Sequence, residues 1–217
     1  MTEPGYVREA REFYDAIAVE YNEMFPSGPE GNPLDRAVLE TFAARVRDDG
    51  GGPVVEAGSG PGRVCAYFTA LGTDITGVDV SPHTVKLARA RFPELRFETG
   101  TMTALERADG SLAGLLSWYS LIHVPPARHP EVLAEFHRVL RPGGRLLLGF
   151  QVGTVPNHHE RPFGHDVRLD FHRLSPDRTA DLLAAAGFDV EVKLVRAAHG
   201  EQEKTPQGFL LARKATP

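Results

Sequence analysis

The stretch Pro53–Val64, with the sequence PVVEAGSGPGRV, decides the fold of this chain. Short apolar residues lead up to Glu56, three glycines then follow at alternate positions, and a helical pattern begins at Arg63. This order predicts a strand, a tight glycine turn and the N-terminus of a helix, where backbone N–H groups can approach a ligand closely. We therefore expect an α/β fold with a ligand site at the turn.

The spacing of the glycines separates the possible ligands. A dinucleotide loop needs G-x-G-x-x-G, but the sixth position counted from Gly58 is Arg63, and no Lys-Ser or Lys-Thr follows as in a P-loop. A second acid, Asp79, lies 21 residues after Gly58, at the end of the next apolar pattern. An acid there can accept hydrogen bonds from both ribose hydroxyls. Its alternative role is to cap a turn or helix, although Ser81 and Pro82 already supply the next helix start.

Length and composition suit one α/β domain covering residues 1–217. The formal net charge of -5 at pH 7 gives no reason to expect nucleic acid or an anionic membrane as a partner. Cys65 is the only cysteine, which excludes an internal disulfide and a CxxC zinc site. The sequence has no leader pattern and no long apolar run, so we expect a cytoplasmic protein, either a monomer or a homodimer.

Strand and helix patterns alternate through most of the chain, which predicts a parallel sheet covered by helices on both faces. Residues 1–50 are predicted to form two lid helices, and residues 53–151 to form the core around the glycine turn. Residues 152–174 are polar and rich in histidine, whereas residues 175–217 return to one helix and two strands. We predict a Rossmann-like three-layer sandwich with a seven-stranded, mostly parallel sheet and an antiparallel last strand.

The segment EAGSGPG, from Glu56 to Gly62, resembles motif I of the class I methyltransferases, which use S-adenosylmethionine (SAM). FHRVLRPGGRLLLGF, at 136–150, resembles a helix-turn-strand of the small-molecule members, and YDAIAVEY, at 14–21, resembles their lid helix. The resemblance covers nearly the whole chain. It implies transfer of a methyl group from SAM to an oxygen or nitrogen of a small organic acceptor, with specialised metabolism as a possible setting.

The resemblance also implies which residues hold the cofactor. They are Tyr14, Tyr21, Glu56, Gly58, Gly60, Gly62, Asp79, Val80, Thr101, Met102, Ser117 and Trp118. The three glycines would border the methionine part of SAM, Asp79 would bind the ribose, and Val80 would pack on the adenine. Ser117 and Trp118, at the end of the fourth strand, would lie under the methionine and the sulfonium.

Two parts of this predicted site leave alternatives open. The family often has Gly-Asp after the third strand, with the Asp accepting from the adenine amino group, whereas this chain has Gly100 and Thr101. A hydroxyl accepts that bond more weakly than a carboxylate, so adenine recognition would depend on the backbone at Met102. Tyr14 and Tyr21 are seven residues apart, on one helical face. That face either packs into the core or contacts the SAM carboxylate or the substrate.

His123 is the predicted catalytic residue. It follows the fourth strand, at the edge where open α/β sheets bind ligands. Its imidazole could take a proton from an acceptor hydroxyl, or it could only position the acceptor or the loop. Further possible metal ligands follow in the polar stretch, namely His158, His159, His165, Asp166 and His172. Because they lack the i, i+4 spacing of a helical metal site, we predict no metal there, and a pocket wall or a solvated loop instead.

Two other functions remain open at the level of the sequence. A SAM-binding protein that uses the cofactor structurally, or in a cyclisation or rearrangement, would have the same glycine turn. A nicotinamide oxidoreductase is disfavoured by the glycine spacing and by Arg63 at the position of the third glycine.

Overall fold

The computed structural model describes residues 3–24, 32–200 and 203–216. Within these ranges the helices are α1 (Gly5–Met24), α2 (Pro33–Asp48), α3 (Arg63–Ala70), α4 (Pro82–Arg91), α5 (His129–Val139) and α6 (Pro176–Ala185). The strands are β1 (Val54–Ala57), β2 (Ile75–Asp79), β3 (Arg96–Thr99), β4 (Leu112–Trp118), β5 (Leu140–Gln151), β6 (Asn157–Glu160), β7 (Arg168–Phe171), β8 (Phe188–Arg196) and β9 (Gln207–Lys214).

Seven of the strands form one sheet in the order β3-β2-β1-β4-β5-β9-β8. The neighbours from β3 to β5 are parallel, whereas β9 runs antiparallel to both β5 and β8. The predicted fold class, with its antiparallel last strand, is confirmed. β1 pairs with β2 on one side and with β4 on the other, so the order in which successive strands are added to the sheet reverses at β1. Such a reversal opens a crevice at the carboxyl ends of the strands.

The sheet is buried on both faces. Phe42 and Phe68, from α2 and α3, pack in the core on one face together with Leu147 of β5. Phe136 of α5 packs in the core on the other face together with Leu148. Successive residues of a strand point to opposite faces, so a strand covered on both sides is apolar at nearly every position. This is why the central strands appear in the sequence as continuous apolar runs.

Three helices begin where the sequence predicts. The side chains of Asn32, Ser81 and Ser175 accept hydrogen bonds from backbone N–H groups in the first turns of α2, α4 and α6. Each of these caps is followed by a proline at the first helical position, where no backbone donor is required. Local capping chemistry therefore fixes the helix starts, independently of the core.

The stretch 152–174, predicted as a pocket wall or a solvated loop, contains a β-hairpin. β6 and β7 pair antiparallel, apart from the main sheet. Leu169 and Phe171 of β7 pack against Phe13 and Ile17 of α1. The hairpin thus obtains its apolar contacts from a distant helix, and it forms a wall above the carboxyl edge of the sheet.

Helix α1 is also attached to the main domain. The Asp15 carboxylate accepts hydrogen bonds from the Ser81 hydroxyl at 2.6 Å and from the His83 backbone N–H at 3.1 Å. An acid at this end of α4 complements the helix dipole. The segment from Pro26 to Gly31, whose prolines and glycines suit a hinge for the predicted lid, lies outside the described residues. No helix in the described ranges is long and apolar enough to cross a membrane.

Candidate functional site

A cavity of about 780 Å³ opens at the carboxyl edge of the sheet, bordered by the glycine turn, α1, the hairpin and the connection from β8 to β9. That volume is in the range of small-molecule sites. Of the sequence-predicted site residues, those that line the cavity are Tyr14, Tyr21, Glu56, Gly58, Gly60, Asp79, Val80, Thr101, Met102, Trp118 and His123. The fold therefore brings together residues from widely separated parts of the chain.

Gly62 and Ser117 do not line the cavity. A Cβ on Gly62 would lie 2.4 Å from the ring of Phe97, so this glycine allows the turn to pack tightly on β3. The buried Ser117 hydroxyl lies 2.7 Å from the Ser120 hydroxyl and accepts a hydrogen bond from the Leu121 N–H at 3.0 Å. Both residues shape the backbone behind the cavity surface.

The glycine turn is held by Asp79. One oxygen of this carboxylate accepts a hydrogen bond from the Gly60 N–H at 2.8 Å, and the other accepts from the Ser81 N–H at 2.9 Å. Gly58 has φ +82°, and a Cβ there would lie 2.2 Å from Cβ of Ser120. The turn thus requires glycine both for its left-handed backbone and for its close approach to the segment after β4. Asp79 also caps this region, as its alternative role proposed, while facing the cavity.

Two buried acids lie beside the turn. Burial raises the pKa of Glu56 to about 8, and the Cys65 thiol, which donates to it at 3.0 Å, opposes this rise only in part. Burial also raises the pKa of Asp79. A cation beside such a carboxylate would favour its ionised form, so this end of the cavity is suited to a ligand that carries an ammonium group.

Tyr14 and His123 form a buried pair on the opposite wall. The Tyr14 hydroxyl lies 2.8 Å from His123 Nε2, and burial raises the pKa of Tyr14 well above its usual range. Burial lowers the pKa of His123 to about 3, so its imidazole is neutral near pH 7. Among the described residues His123 Nδ1 has no hydrogen-bond partner. Tyr14 also meets the ring of Tyr21 edge to face at 5.5 Å, so this face of α1 both packs and lines the cavity.

The region predicted to hold adenine has few side-chain donors or acceptors. The Thr101 hydroxyl lies 3.0 Å from the Thr103 hydroxyl. Val80 and Met102 provide apolar surface beside it. This wall offers a ligand apolar side chains, hydroxyls and backbone groups.

Tyr119 and Trp118 form the wall at the end of β4. Trp118 stacks on Phe209 of β9, with ring centroids 5.2 Å apart, and it passes over Gly149, where a Cβ would lie 2.7 Å from the indole. Tyr119 lines the cavity with φ +56°, an unusual conformation for an aromatic residue. Sequence analysis missed Tyr119, because the left-handed turn leaves no signal in the local pattern.

An ion cluster borders the cavity beside the start of α2 and the connection between β8 and β9. The buried Arg196 guanidinium donates to both oxygens of Asp35, at 2.6 and 2.9 Å, and to both oxygens of Glu203, at 2.5 and 2.6 Å. Asp35 and Glu203 both line the cavity. The cluster ties the first turn of α2 to the connection between β8 and β9, and it was not predicted because its members are far apart in sequence.

The histidines of the hairpin are mostly engaged with other side chains. His158 lies 2.6 Å from Asp170, and His165 lies 2.9 Å from Glu20 of α1. His159 lines the cavity and packs on the Phe171 ring, with centroids 4.2 Å apart. In the part of the chain that the structure describes, no group of three or more His, Cys, Asp or Glu side chains is placed to hold a metal ion.

Comparison with known families gives a match over the glycine turn and the strands around it. Residues 54–144 match a family described as a methyltransferase domain. A demethylmenaquinone methyltransferase from Beutenbergia cavernae is 35% identical over 121 residues, which cover 56% of this chain and 48% of that protein. The chain spans between 48% and 65% of the length of the first curated relatives it matches.

Solved structures are similar over the whole chain. The complex of DhpI with S-adenosylhomocysteine (SAH) has a TM-score of 0.76 and 21% identity, with 100% of both chains covered. The [4+2]-cyclase SpnF has a TM-score of 0.74 and 18% identity, with 100% of this chain and 98% of that chain covered. These likenesses show the fold. Residues 54–144 are those that match the methyltransferase domain family.

Proposed function

We propose that this protein transfers the methyl group of SAM to an oxygen or nitrogen atom of a small organic acceptor. The observation that carries the proposal is one continuous cavity, which has the glycine turn and Asp79 at one end and His123 with the hairpin at the other. A cofactor and an acceptor bound in it would meet at the carboxyl end of β4. Specialised metabolism is the setting that we propose.

The residues at the glycine turn fit SAM. Each Asp79 oxygen accepts one backbone N–H and retains a lone pair for a ribose hydroxyl. Glu56 is a buried carboxylate suited to the ammonium of the methionine part. The Ser59 hydroxyl is buried in the cavity wall without a partner among the described residues, which leaves it available to a polar ligand. Val80 and Met102 would contact the adenine.

SAM would supply an activated methyl group, whose bond to sulfur would break as its bond to the acceptor atom forms, leaving SAH and releasing the acceptor's proton to solvent. The donor is already activated, so the protein contributes mainly alignment and exclusion of water. α1 and the hairpin cover the carboxyl edge of the sheet, where they shield the region above β4 from solvent.

We assign His123 to the acceptor. His123 lines the cavity, its Nε2 is engaged with Tyr14, and its Nδ1 is buried near the backbone of Asp170 without a hydrogen bond of normal geometry among the described residues. A side chain with a pKa near 3 is a weak general base, because proton transfer works best when the pKa is near the working pH. The low pKa of His123 therefore supports orientation of the acceptor more than removal of its proton.

The fold likeness to a [4+2]-cyclase supports one alternative, in which the protein binds SAM but uses it structurally or in a cyclisation or rearrangement. The two functions differ in the fate of the cofactor. Methyl transfer consumes SAM and releases SAH, whereas the alternative leaves SAM unchanged.

The test is incubation of the protein with SAM, deuterated in its methyl group, and a panel of small alcohols, phenols, acids and amines. We expect SAH and a deuterated product in equal amounts, measured by mass spectrometry. If calorimetry shows that SAM binds, but a panel compound is converted without label and without release of SAH, the alternative is correct. Absence of SAM binding would contradict both functions.

A further inference from the structure

Arg173 is a charged side chain in the cavity that has no role in the proposed cofactor site. It follows β7, at the base of the hairpin. Arg173 lines the cavity, and its buried Nε has no hydrogen-bond partner among the described residues. A buried N–H donor without an acceptor costs free energy, so a ligand that supplies the acceptor would be favoured.

The backbone holds Arg173 in a defined place. The N–H of His172 donates to the carbonyl of Ile122 at 2.8 Å, and the N–H of Leu174 donates to the carbonyl of Gln151 at 2.8 Å. The first contact is beside His123, and the second is at the end of β5. The stem of Arg173 crosses Gly153, where a Cβ would lie 2.9 Å from Cδ of the arginine. Arg173 therefore enters the cavity on the His123 side, away from β2 and Asp79.

The charges around the cavity show what Arg173 can pair with. Beside the start of α2, Asp35 and Glu203 already pair with Arg196. Beside the glycine turn, Glu56 and Asp79 line the cavity. Within the described part of the chain, Arg173 has no ion pair of its own. A negative charge on the acceptor would thus meet an arginine that the protein does not neutralise.

We propose that the acceptor carries an anionic oxygen group, such as a carboxylate, which pairs with Arg173 and so orients the acceptor for methyl transfer. The inference rests on the proposed function and specifies the chemical class of its substrate. A guanidinium suits this role because it can donate two parallel hydrogen bonds to one carboxylate. Tyr6 and His123 line the same cavity, and the buried Tyr6 hydroxyl has no hydrogen-bond partner among the described residues. They are further hydrogen-bonding groups for the same ligand.

The experiment uses Trp118 as a reporter, because it is the only tryptophan and it lines the cavity. Benzoate and its neutral analogue benzamide are titrated into the protein, with and without saturating SAH, while Trp118 fluorescence is recorded. We expect benzoate to bind about 10- to 100-fold more tightly, the range for hydrogen bonds to a charged group. Arg173→Gln should abolish this preference. Arg173→Lys should retain part of it, since the charge stays but the paired donors are lost.

Arg178→Gln is the matched control, because it removes the same charge from an exposed position on α6 outside the cavity. This variant should keep the preference for benzoate. Equal binding of benzoate and benzamide to the wild-type protein, or no response to either, would overturn the inference. So would a preference that persists in Arg173→Gln. Inorganic phosphate that binds as tightly as benzoate and depends equally on Arg173 would point to a site for a free oxyanion, and it would overturn the assignment to an acceptor.

Calorimetry with SAH separates this inference from the proposed function. Arg173→Gln should bind SAH with wild-type affinity, and a loss there would place Arg173 on the cofactor and overturn the inference. A wild-type protein that prefers benzoate through Arg173 but fails to bind SAH would contradict the proposed function alone. A protein that methylates only neutral acceptors would contradict the inference alone.

Discussion

The two ends of the cavity differ in how their polar groups are satisfied. At the glycine turn, Asp79 accepts two backbone hydrogen bonds and Glu56 accepts one from a thiol. At the hairpin end, polar atoms of Tyr6, His123 and Arg173 are buried without partners among the described residues. The end at the glycine turn thus keeps its shape mainly through bonds within the protein, although the Ser59 hydroxyl there also has no partner among the described residues, whereas the hairpin end has several such atoms that a ligand can satisfy. The difference indicates a prebuilt cofactor end and an acceptor end that is completed by its substrate.

The largest expected effect is that of Gly58→Ala, which tests whether the cofactor end is prebuilt. The variant would adopt a left-handed backbone, at about 1–2 kcal/mol, and its Cβ would lie 2.2 Å from Cβ of Ser120. Overpacking of this kind costs about 1–3 kcal/mol. We expect the free energy of unfolding, measured in urea without ligand, to fall by about 2–5 kcal/mol.

Gly60→Ala is the matched control for this experiment. Gly60 also has positive φ, but a Cβ there would meet no atom within 4 Å. Only the cost of a left-handed backbone at alanine, about 1–2 kcal/mol, should then reduce the free energy of unfolding. Equal losses of stability in the two variants would show that the contact between Gly58 and Ser120 does not hold the turn.

Asp79→Ala should affect the cofactor end alone. We expect SAH affinity to fall by about 1.5–3 kcal/mol, because hydrogen bonds to a charged group are lost. Isothermal titration calorimetry measures this loss directly, and His123→Ala should bind SAH normally in the same experiment. Unchanged SAH affinity in Asp79→Ala would mean that this acid serves only the turn.

His123→Ala should affect the acceptor end alone. We expect kcat/KM for the acceptor to fall about 10- to 100-fold, mainly through KM, because the Tyr14 hydroxyl and the acceptor both lose a partner. Tyr14→Phe keeps the imidazole and removes one of its bonds, so its loss should be smaller.

The pH profile sharpens this prediction. His123 has a pKa near 3, so the wild-type rate should show no acid limb from this residue above about pH 4. A limb near pH 6.5 that disappears in His123→Ala would instead identify an ionising base. Wild-type kinetics in His123→Ala would contradict both the orienting and the base role.

The smallest effect concerns Glu56 and the pH dependence of cofactor binding. Its pKa of about 8 means that the free protein holds a proton there at pH 7, and the ammonium of SAH would displace it. The affinity for SAH should therefore rise by about fivefold between pH 7 and pH 8. Calorimetry in buffers of different ionisation enthalpy should show that binding releases protons. Glu56→Gln should remove this pH dependence. A flat profile in the wild-type protein would show that Glu56 does not meet the ammonium.

The glycine turn and the helix starts beside it could be predicted from the sequence because their determinants are local. The glycines of the turn, the acid at the end of β2 and the Ser-Pro helix start lie within short segments, and each has a backbone or capping reason. The bounds of the strand Leu112–Trp118 can also be read from the sequence, since it is an apolar run between turn residues. Ser117 was the exception here, because the side that a strand residue faces depends on the turn that follows.

The acceptor end could not be predicted to the same extent, because it is built by tertiary contacts. The sequence of β6, NHHE, has no apolar alternation, and the hairpin is stabilised by packing of Leu169 and Phe171 on α1. The left-handed backbone of Tyr119 likewise produces no recognisable pattern in the sequence. Arg173 resembles any surface arginine until its position beside Ile122 and Gln151 is known.

The position of β9 in the sheet has a consequence for how the chain is made. β9 lies between β5 and β8, yet it follows both of them in the chain. During synthesis β8 therefore emerges before its only neighbour in the described sheet, and β5 keeps one edge without a partner until residues 207–214 appear. Unpaired strand edges on a nascent chain promote association with other chains. Pairing in that half of the sheet therefore has to wait until β9 has left the ribosome.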